Sequence, residues 1–185
     1  YLGKNNEYSK KEINSFFRRS YIEGNLDMMK YFVGLGANVR MDDDDAIKWA
    51  CEGGNLEMVK FLIESGADIR AKNDHTIRWT SYYGRLEIVK FLVNCGANIR
   101  AKNDWALRWA CKQDKIEVVK FLVNCGANVR AKNDWALKSA VVNNNLEMVK
   151  FLIDCGANVR AGNNYAIKFA SDNGHLDMVK LLVNS

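Results

Sequence analysis

Residues 100–129 of this 185-residue chain are RAKNDWALRWACKQDKIEVVKFLVNCGANV, and the same pattern returns every 30 residues. Gly-Ala pairs keep that step throughout, beginning at Gly36, Gly66, Gly96, Gly126 and Gly156. The segment Arg-Ala-Lys-Asn-Asp occurs intact at 70–74, 100–104 and 130–134. Because each unit is itself varied in composition, the period indicates an internal repeat and not low-complexity sequence.

Each unit predicts two helices separated by a tight turn. Trp105, Ala106, Trp109 and Ala110 have the spacing of one helical face, and a second apolar segment covers 116–123. Short polar side chains accept hydrogen bonds from the first amides of a helix, so we expect Asn103 or Asp104 to cap the first helix.

Glycines mark the helix ends. Gly24, Gly54 and Gly174 follow the first helix of their units, and the glycine of each Gly-Ala pair follows the second helix. We expect these residues to adopt left-handed backbone, with the residue after Gly24 or Gly54 capping the second helix. Asp114 replaces the glycine in one unit, and aspartate tolerates this geometry better than most residues.

No helix pair of this kind can cover its own apolar face, so successive pairs are expected to stack into an all-α solenoid. Counting from residue 13 gives six helix-turn-helix repeats with short connections, preceded by a polar segment at 1–12. The expected units are 13–35, 36–65, 66–95, 96–125, 126–155 and 156–185.

These units resemble the ankyrin repeat family. The phrase Leu-Glu-Met-Val-Lys-Phe-Leu, which runs into Gly-Ala at 146–157, carries the resemblance most specifically. The family has a 33-residue period and a Thr-Pro-Leu-His segment. Here the period is 30, and proline and the histidine are absent from that segment. The missing residues predict short connecting fingers that do not form proper β-hairpins. The 30-residue variant is similar to ankyrin proteins of large DNA viruses of amoebae.

Composition excludes several classes of protein. With 48% hydrophobic and 26% charged residues, the chain is expected to fold. No apolar run approaches the roughly 18 residues of a membrane helix. Five cysteines without CxxC spacing favour a reduced, intracellular, cytoplasmic setting. The two histidines have no ligand cluster around them, and no catalytic motif is present, so we expect no metal, no cofactor and no enzymatic activity.

Residues one period apart should form physical columns along the stack. The Arg column begins at Arg40 and ends at Arg160. Its guanidinium groups could grip an acidic peptide or a phosphate chain, or each could pair with the aspartate four residues later and so connect one repeat to the next. Asn164 replaces that aspartate in the last unit, which leaves Arg160 free for a partner.

Two further columns lie on the first helices, the helices whose outward face lines the concave surface in the ankyrin family. One is cationic and the other is largely aromatic, and interleaved cations and rings can hold peptides or stack bases. The same side chains could instead cover one another. The candidate partner-binding residues are Arg78, Arg108, Lys138, Lys168, Trp105, Trp135, Tyr165 and Arg160.

A column of bulky aromatic residues is interrupted once. Trp49, Trp79, Trp109 and Phe169 are predicted to lie in the core between repeats, and Ser139 at the same position should leave a local dent. The cysteines are predicted to be small packing residues, with those at 95, 125 and 155 too far apart for disulfides.

A protein-interaction scaffold or adaptor without catalysis is the function that these features favour, with a partner protein, for which a host protein is one candidate, bound on the concave face of the first helices and fingers. The alternative is polyanion or nucleic-acid binding through the Arg and Lys columns. Residues 36–65 carry a net charge of −4, which a uniform nucleic-acid groove would not include, so nucleic acid is the less expected partner. The last pair lacks a polar cap, so further repeats or self-association are expected at that end.

Overall fold

The computed structural model describes residues 8–185, and within that range the chain forms twelve α-helices and no strand. The first helices of the six pairs are α1 (Lys10–Ile22), α3 (Met41–Gly53), α5 (Ala71–Tyr83), α7 (Ala101–Lys112), α9 (Ala131–Val142) and α11 (Ala161–Asp172). The second helices are α2 (Leu26–Gly34), α4 (Leu56–Glu64), α6 (Leu86–Asn94), α8 (Ile116–Asn124), α10 (Leu146–Asp154) and α12 (Leu176–Val183). The predicted all-α repeat solenoid is confirmed.

The start of the array differs slightly from the expected residue 13. Helix α1 begins at Lys10 because Ser9 and Glu12 form a capping box, in which each side chain binds the backbone N–H of the other residue. Residues 10–12 of the predicted polar segment are therefore helical, and residues 1–7 lie outside the described residues.

The chain divides inside α5 into two compact units, residues 1–76 and 77–185. In the described part of the first unit, α1 packs against α3, and α1 and α3 each pack against their own second helix. In the second unit α7, α9 and α11 pack side by side in order, and each contacts the helix that follows it. None of the helices in residues 8–185 is long and apolar enough to cross a membrane.

The turn inside each pair has the predicted geometry. Gly24 and Gly54 have φ of 70° and 82°, and the side chains of Asn25 and Asn55 accept hydrogen bonds from amides in the following helix. Asp114 adopts the same left-handed region with φ of 59°. These turns reverse the chain within a few residues because left-handed backbone stops the helix, and an asparagine side chain caps the start of α2, α4 and α10.

Successive helix pairs are connected by a turn of left-handed backbone and not by a β-hairpin finger. In each of the five connections, three consecutive residues have positive φ, for example Lys102 at 55°, Asn103 at 58° and Asp104 at 54°. Asn and Asp adopt this region more readily than other residues with a side chain. The predicted capping of the first helix by Asn103 or Asp104 is wrong, because no side chain caps α7 and the Asp104 carboxylate bonds elsewhere.

That carboxylate joins one repeat to the next. Oδ1 of Asp104 accepts a hydrogen bond from the backbone N–H of Asn128 at 2.8 Å, and Oδ1 of Asp134 accepts one from Asn158 at 2.7 Å. In the first unit Asp44 binds the N–H of Asp68 at 2.7 Å. These aspartates are only 3–4% exposed. A buried charged acceptor makes a strong hydrogen bond, so the same position sets the register of successive repeats.

The core is built from small and aliphatic side chains. On α7 the residues Ala106, Leu107, Ala110 and Cys111 are fully buried, and the equivalent residues of α9 are buried likewise. The prediction that the bulky aromatic column lies in the core is wrong: Trp49 is 42% exposed, and Trp79, Trp109 and Phe169 are half-buried. The alanines and leucines fill the space between helices, which leaves the larger rings at the surface.

The cysteine prediction holds for only two residues. Cys51 and Cys111 are buried packing residues on first helices. Cys95, Cys125 and Cys155 are exposed because each follows the last residue of a second helix, where the chain turns away from the core.

Substitution of the inter-repeat aspartate should weaken the stack. In Asp104→Ala the amide of Asn128 loses its buried acceptor, at a cost of about 1–3 kcal/mol, and alanine in left-handed backbone adds about 1–2 kcal/mol. Asp104→Asn keeps an acceptor oxygen, as Asn14 does toward the amide of Asn38 at 2.9 Å, and should cost about 1 kcal/mol. Urea unfolding followed by circular dichroism measures both.

Asn103→Ala is the matched control, because Asn103 has the same backbone conformation but an exposed side chain. It should show the backbone cost alone. Equal destabilisation by Asp104→Ala and Asn103→Ala would mean that the carboxylate does not join the repeats.

Candidate functional site

Three of the five arginines in the Arg column lie beside an aspartate of the same connection. Arg40, Arg70 and Arg100 place Nε at 3.3, 3.5 and 3.7 Å from the carboxylate four residues later. The predicted Arg–Asp pairing is therefore present, but it lies within one connection, and the tie to the next repeat is made by the aspartate itself. Arg40 adds a contact to Asp68 in the next repeat at 3.2 Å.

Arg160 lies outside this pattern. Asn164 stands where the aspartate would be, the Arg160 side chain is exposed, and within residues 8–185 it has no acidic group within 4 Å. It sits in the connection before α11 and contacts none of the aromatic rings described below.

The run of four aspartates at 42–45 is neutralised by basic side chains. Asp42 pairs with Arg18, Asp43 with Lys72 at 3.3 Å, and Asp45 with Lys48 at 3.7 Å. Asp44 pairs with Arg40 as described above. Among the described residues no group of His, Cys, Asp and Glu is arranged to hold a metal ion.

The first-helix cations of the second unit lie on aromatic rings of the next repeat. The guanidinium of Arg78 lies 5.3 Å from the ring centre of Trp105, that of Arg108 lies 5.5 Å from Trp135, and Nζ of Lys138 lies 5.9 Å from Tyr165. Each ring thus faces a cation one repeat earlier, an arrangement worth about 0.5–1 kcal/mol at exposed sites.

Arg108 is the most tightly held of these cations. It donates from Nε to the carbonyl oxygen of Asn103 at 2.9 Å and from a terminal nitrogen to that of Lys102 at 3.1 Å. Burial against Trp135 lowers the pKa of Arg108, and the charge of Asp104 partly opposes that shift. Two of its five N–H donors are therefore used in fixing the connection, and its guanidinium group packs on the Trp135 ring.

The rings also contact one another. Trp105 lies 5.4 Å from Trp79 and is stacked on Trp109 at 5.0 Å, and Trp109 is 5.7 Å from Trp135. Tyr82 is 5.9 Å from Trp109. Together these rings and their cations make a continuous surface, here called the aromatic–cation face. It consists of Arg78, Trp79, Tyr82, Trp105, Arg108, Trp109, Lys112, Trp135, Lys138 and Tyr165.

The face contains a cleft at Ser139, as the interruption of the aromatic column predicts. The cleft has a volume of about 350 Å³ and opens beside Ser139. It is lined by Lys112, Trp135, Lys138, Val142, Asn143 and Tyr165. Asn143 fixes its edge by donating from Nδ2 to the carbonyl oxygens of Cys111 at 3.2 Å and Lys112 at 3.0 Å.

Six of the eight predicted partner-binding residues belong to the aromatic–cation face: Arg78, Arg108, Lys138, Trp105, Trp135 and Tyr165. Lys168 is exposed on α11, and Arg160 lies apart. The list of eight candidate residues does not include Tyr82, Lys112 or Val142. A simple signal could have identified them, because each lies three residues after the aromatic column, and residues three apart share a helix face.

The buried thiol is chemically passive. Burial raises the pKa of Cys111 far above that of an ordinary thiol, with a smaller contribution from the charge of Asp114. A thiol must ionise to act as a nucleophile, so Cys111 is a packing residue. Burial and the charge of Asp154 also raise the pKa of the exposed Cys155.

Comparison with known protein families agrees with this geometry. The family model for ankyrin repeats (3 copies) matches residues 16–73, 77–163 and 107–185. Comparison with curated proteins gave no significant match.

Thiol accessibility should separate the two kinds of cysteine. Native protein treated with iodoacetamide should be alkylated at Cys95, Cys125 and Cys155, while Cys51 and Cys111 should react only after unfolding. The raised pKa of Cys155 means that its alkylation should require a higher pH than an ordinary thiol, since the thiolate forms later. Peptide mass spectrometry after native and denaturing labelling measures this pattern, and rapid labelling of Cys111 in native protein would contradict the packing of α7.

Proposed function

Because the chain belongs to the ankyrin repeat family, we propose that it is a non-catalytic scaffold that binds a partner protein on the aromatic–cation face of residues 77–185. Ankyrin repeats generally mediate protein–protein interaction, and the proposal adds the surface that does so here. The observation that carries it is the continuous run of half-exposed rings and cations on α7, α9 and α11. Tryptophan, tyrosine and arginine are the residues that dominate binding energy at protein interfaces.

Charge supports an acidic partner. Residues 77–185 hold 16 Lys and Arg against nine Asp and Glu, whereas residues 1–76 hold 11 against 13. Lys112, Lys138 and Lys168 have no acidic group within 4 Å in the described part of the chain. Unpaired cations next to apolar rings favour a protein surface that combines carboxylates with apolar side chains.

The proposed repeat array begins with α1 at Lys10, in place of the expected residue 13, and keeps the unit boundaries at 36, 66, 96, 126 and 156 through residue 185. The resemblance to ankyrin proteins of large DNA viruses of amoebae, and the reduced thiols, support an intracellular role and a host protein as the partner. A second copy of the chain is the proposed neighbour of the last helix pair.

Polyanion binding is the second candidate, and a sequence pI near 8.9 together with exposed Arg130 and Arg160 favours it. Against it, Arg40, Arg70 and Arg100 lie beside their own carboxylates. A phosphate chain following the Arg column would have to displace those pairs, so we place this function second.

Charge reversal at Lys138 of the face and at Lys168, which lies one helical turn after Tyr165 on α11, tests the main proposal. The double variant Lys138→Glu, Lys168→Glu should lose the proteins that the wild-type chain captures from cell lysate, because it removes two unpaired cations from α9 and α11. The matched control is Lys150→Glu, Lys180→Glu, which makes the same change on second helices. Quantitative mass spectrometry compares the captures, and thermal melts verify that both variants fold.

Two results would contradict the proposal. One is capture that survives the face variant or is lost equally in the control. The other is micromolar binding of a duplex or single-stranded oligonucleotide that weakens steeply with salt and with Lys138→Glu, Lys168→Glu, which would favour the polyanion candidate.

A further inference from the structure

We infer that the Ser139 cleft accepts one aromatic side chain of the partner, presented by a short segment with acidic residues on both sides of that ring. This inference rests on the proposed function and specifies its recognition chemistry. It makes residues around 139 the specificity-determining part of the aromatic–cation face.

The first support is a missing ring. In the preceding repeat Trp109 occupies the space between Trp105, at 5.0 Å, and Trp135, at 5.7 Å. By the same register, the residue at 139 should occupy the space between Trp135 and Tyr165, but a serine stands there. Those two rings now line the opening with nothing of this chain between them. A ring from a partner would restore the contacts that Trp109 makes one repeat earlier.

Size and chemistry match that occupant. A volume of about 350 Å³ lies within the range of small ligand pockets, roughly 300–1,000 Å³. The apolar walls are Trp135, Tyr165 and Val142, of which Tyr165 is 39% and Val142 44% exposed. Aromatic rings prefer to stack offset or edge-on against other rings, and Tyr and Trp walls allow both.

The rim selects for carboxylates. Lys112 and Lys138 both line the cleft, and no acidic residue does. Nζ of Lys112 lies 4.3 Å from the ring centre of Trp109, and Nζ of Lys138 lies over Tyr165, so each ammonium group rests on a ring and has no carboxylate partner within 4 Å in residues 8–185. Carboxylates on either side of an inserted ring would pair with both.

Gly162 leaves space for the end of the Lys138 side chain. The three preceding repeats have lysine at this place in the connection, at 72, 102 and 132. A Cβ added at Gly162 would lie 2.6 Å from Nζ of Lys138. Compared with the preceding repeats, the chain therefore has no side chain at 162 and no ring at 139, and both differences leave space beside Lys138.

A nucleobase is the rival occupant, since it is also aromatic and carries anionic phosphates. Single-stranded nucleic acid binds by stacking successive bases on successive platforms. On this face the spaces next to Trp105 and Trp109 are already filled by the chain's own stacked rings. One vacant position suits a single side chain better than a series of bases.

The test uses a fluorescein-labelled peptide, Asp-Glu-Trp-Glu-Asp, titrated with the full 185-residue chain and followed by anisotropy. We expect saturable binding that weakens at least about tenfold in Ser139→Trp, because the new indole fills the cleft. Lys112→Glu should weaken it similarly, and Lys150→Glu, the same charge change outside the cleft, should alter it less than about twofold. Peptides with alanine for tryptophan, or with Asn and Gln for the acidic residues, should bind at least about tenfold more weakly.

Ser139→Trp should melt at or above the wild-type temperature, since it recreates a stacking position found in the preceding repeat. If it does not fold, Val142→Glu serves instead, because it places a negative charge on an exposed wall of the cleft.

Unchanged affinity in a folded cleft variant, equal binding of the alanine peptide, or no binding of the parent peptide would overturn the inference. So would tighter, Ser139→Trp-sensitive binding of a ten-nucleotide oligothymidylate, which would assign the cleft to a base. Lys168→Glu separates the cleft proposal from the proposed function, because Lys168 lies on the first helix α11 but does not line the cleft. Peptide binding lost in Lys168→Glu but kept in Ser139→Trp would reject the cleft and retain the face.

Discussion

The buried carboxylate in each connection is the interaction on which the rest of the structure depends. It receives the backbone N–H of a residue 24 positions later, both in the first unit at Asp44 and in the second at Asp104 and Asp134. A hydrogen bond to a backbone amide fixes distance and direction together, so the repeats that these bonds join within each unit have one register. The three left-handed residues in the first turn of each first helix from α3 onward carry that carboxylate into position, which explains why Asn and Asp are so frequent there.

Because the register is fixed, residues that recur with the sequence period lie next to one another and form a surface. In the second unit, alignment of the repeats places a cation of one first helix on a ring of the next, as at Arg78, Arg108 and Lys138. The rings then form an unbroken cluster wherever the aromatic column is complete. A single exception, serine at 139, becomes a cleft because its neighbours are held apart by the packing of α9 and α11. In a repeat protein, a residue that departs from the period therefore creates a local difference in the surface, and such a difference readily determines binding specificity.

The cations and carboxylates have divided roles. Near the connections they are largely structural, with Arg40 and Arg100 beside their own aspartates and Arg108 donating to backbone carbonyls. On the face of α9 and α11 the cations lie on aromatic rings and have no carboxylate partner among the described residues. This part of the surface has the greatest capacity to bind another molecule. Two cations of the same type thus differ in function, depending on whether the adjoining turn supplies a carboxylate or carbonyl partner.

The sequence by itself determined the helix pairs, their turns, the all-α repeat architecture and the dent at Ser139. These follow from local rules: apolar spacing, left-handed residues and a strict period act within one repeat or between identical neighbours. It failed for the cap at Asp104, for the burial of Trp49 and for the exposed Cys95, Cys125 and Cys155. Only the tertiary structure decided these, because the target of a carboxylate and the depth of a ring depend on how closely neighbouring helices approach. Small alanines bring the helices together, and that distance is a property of packing which no single repeat encodes.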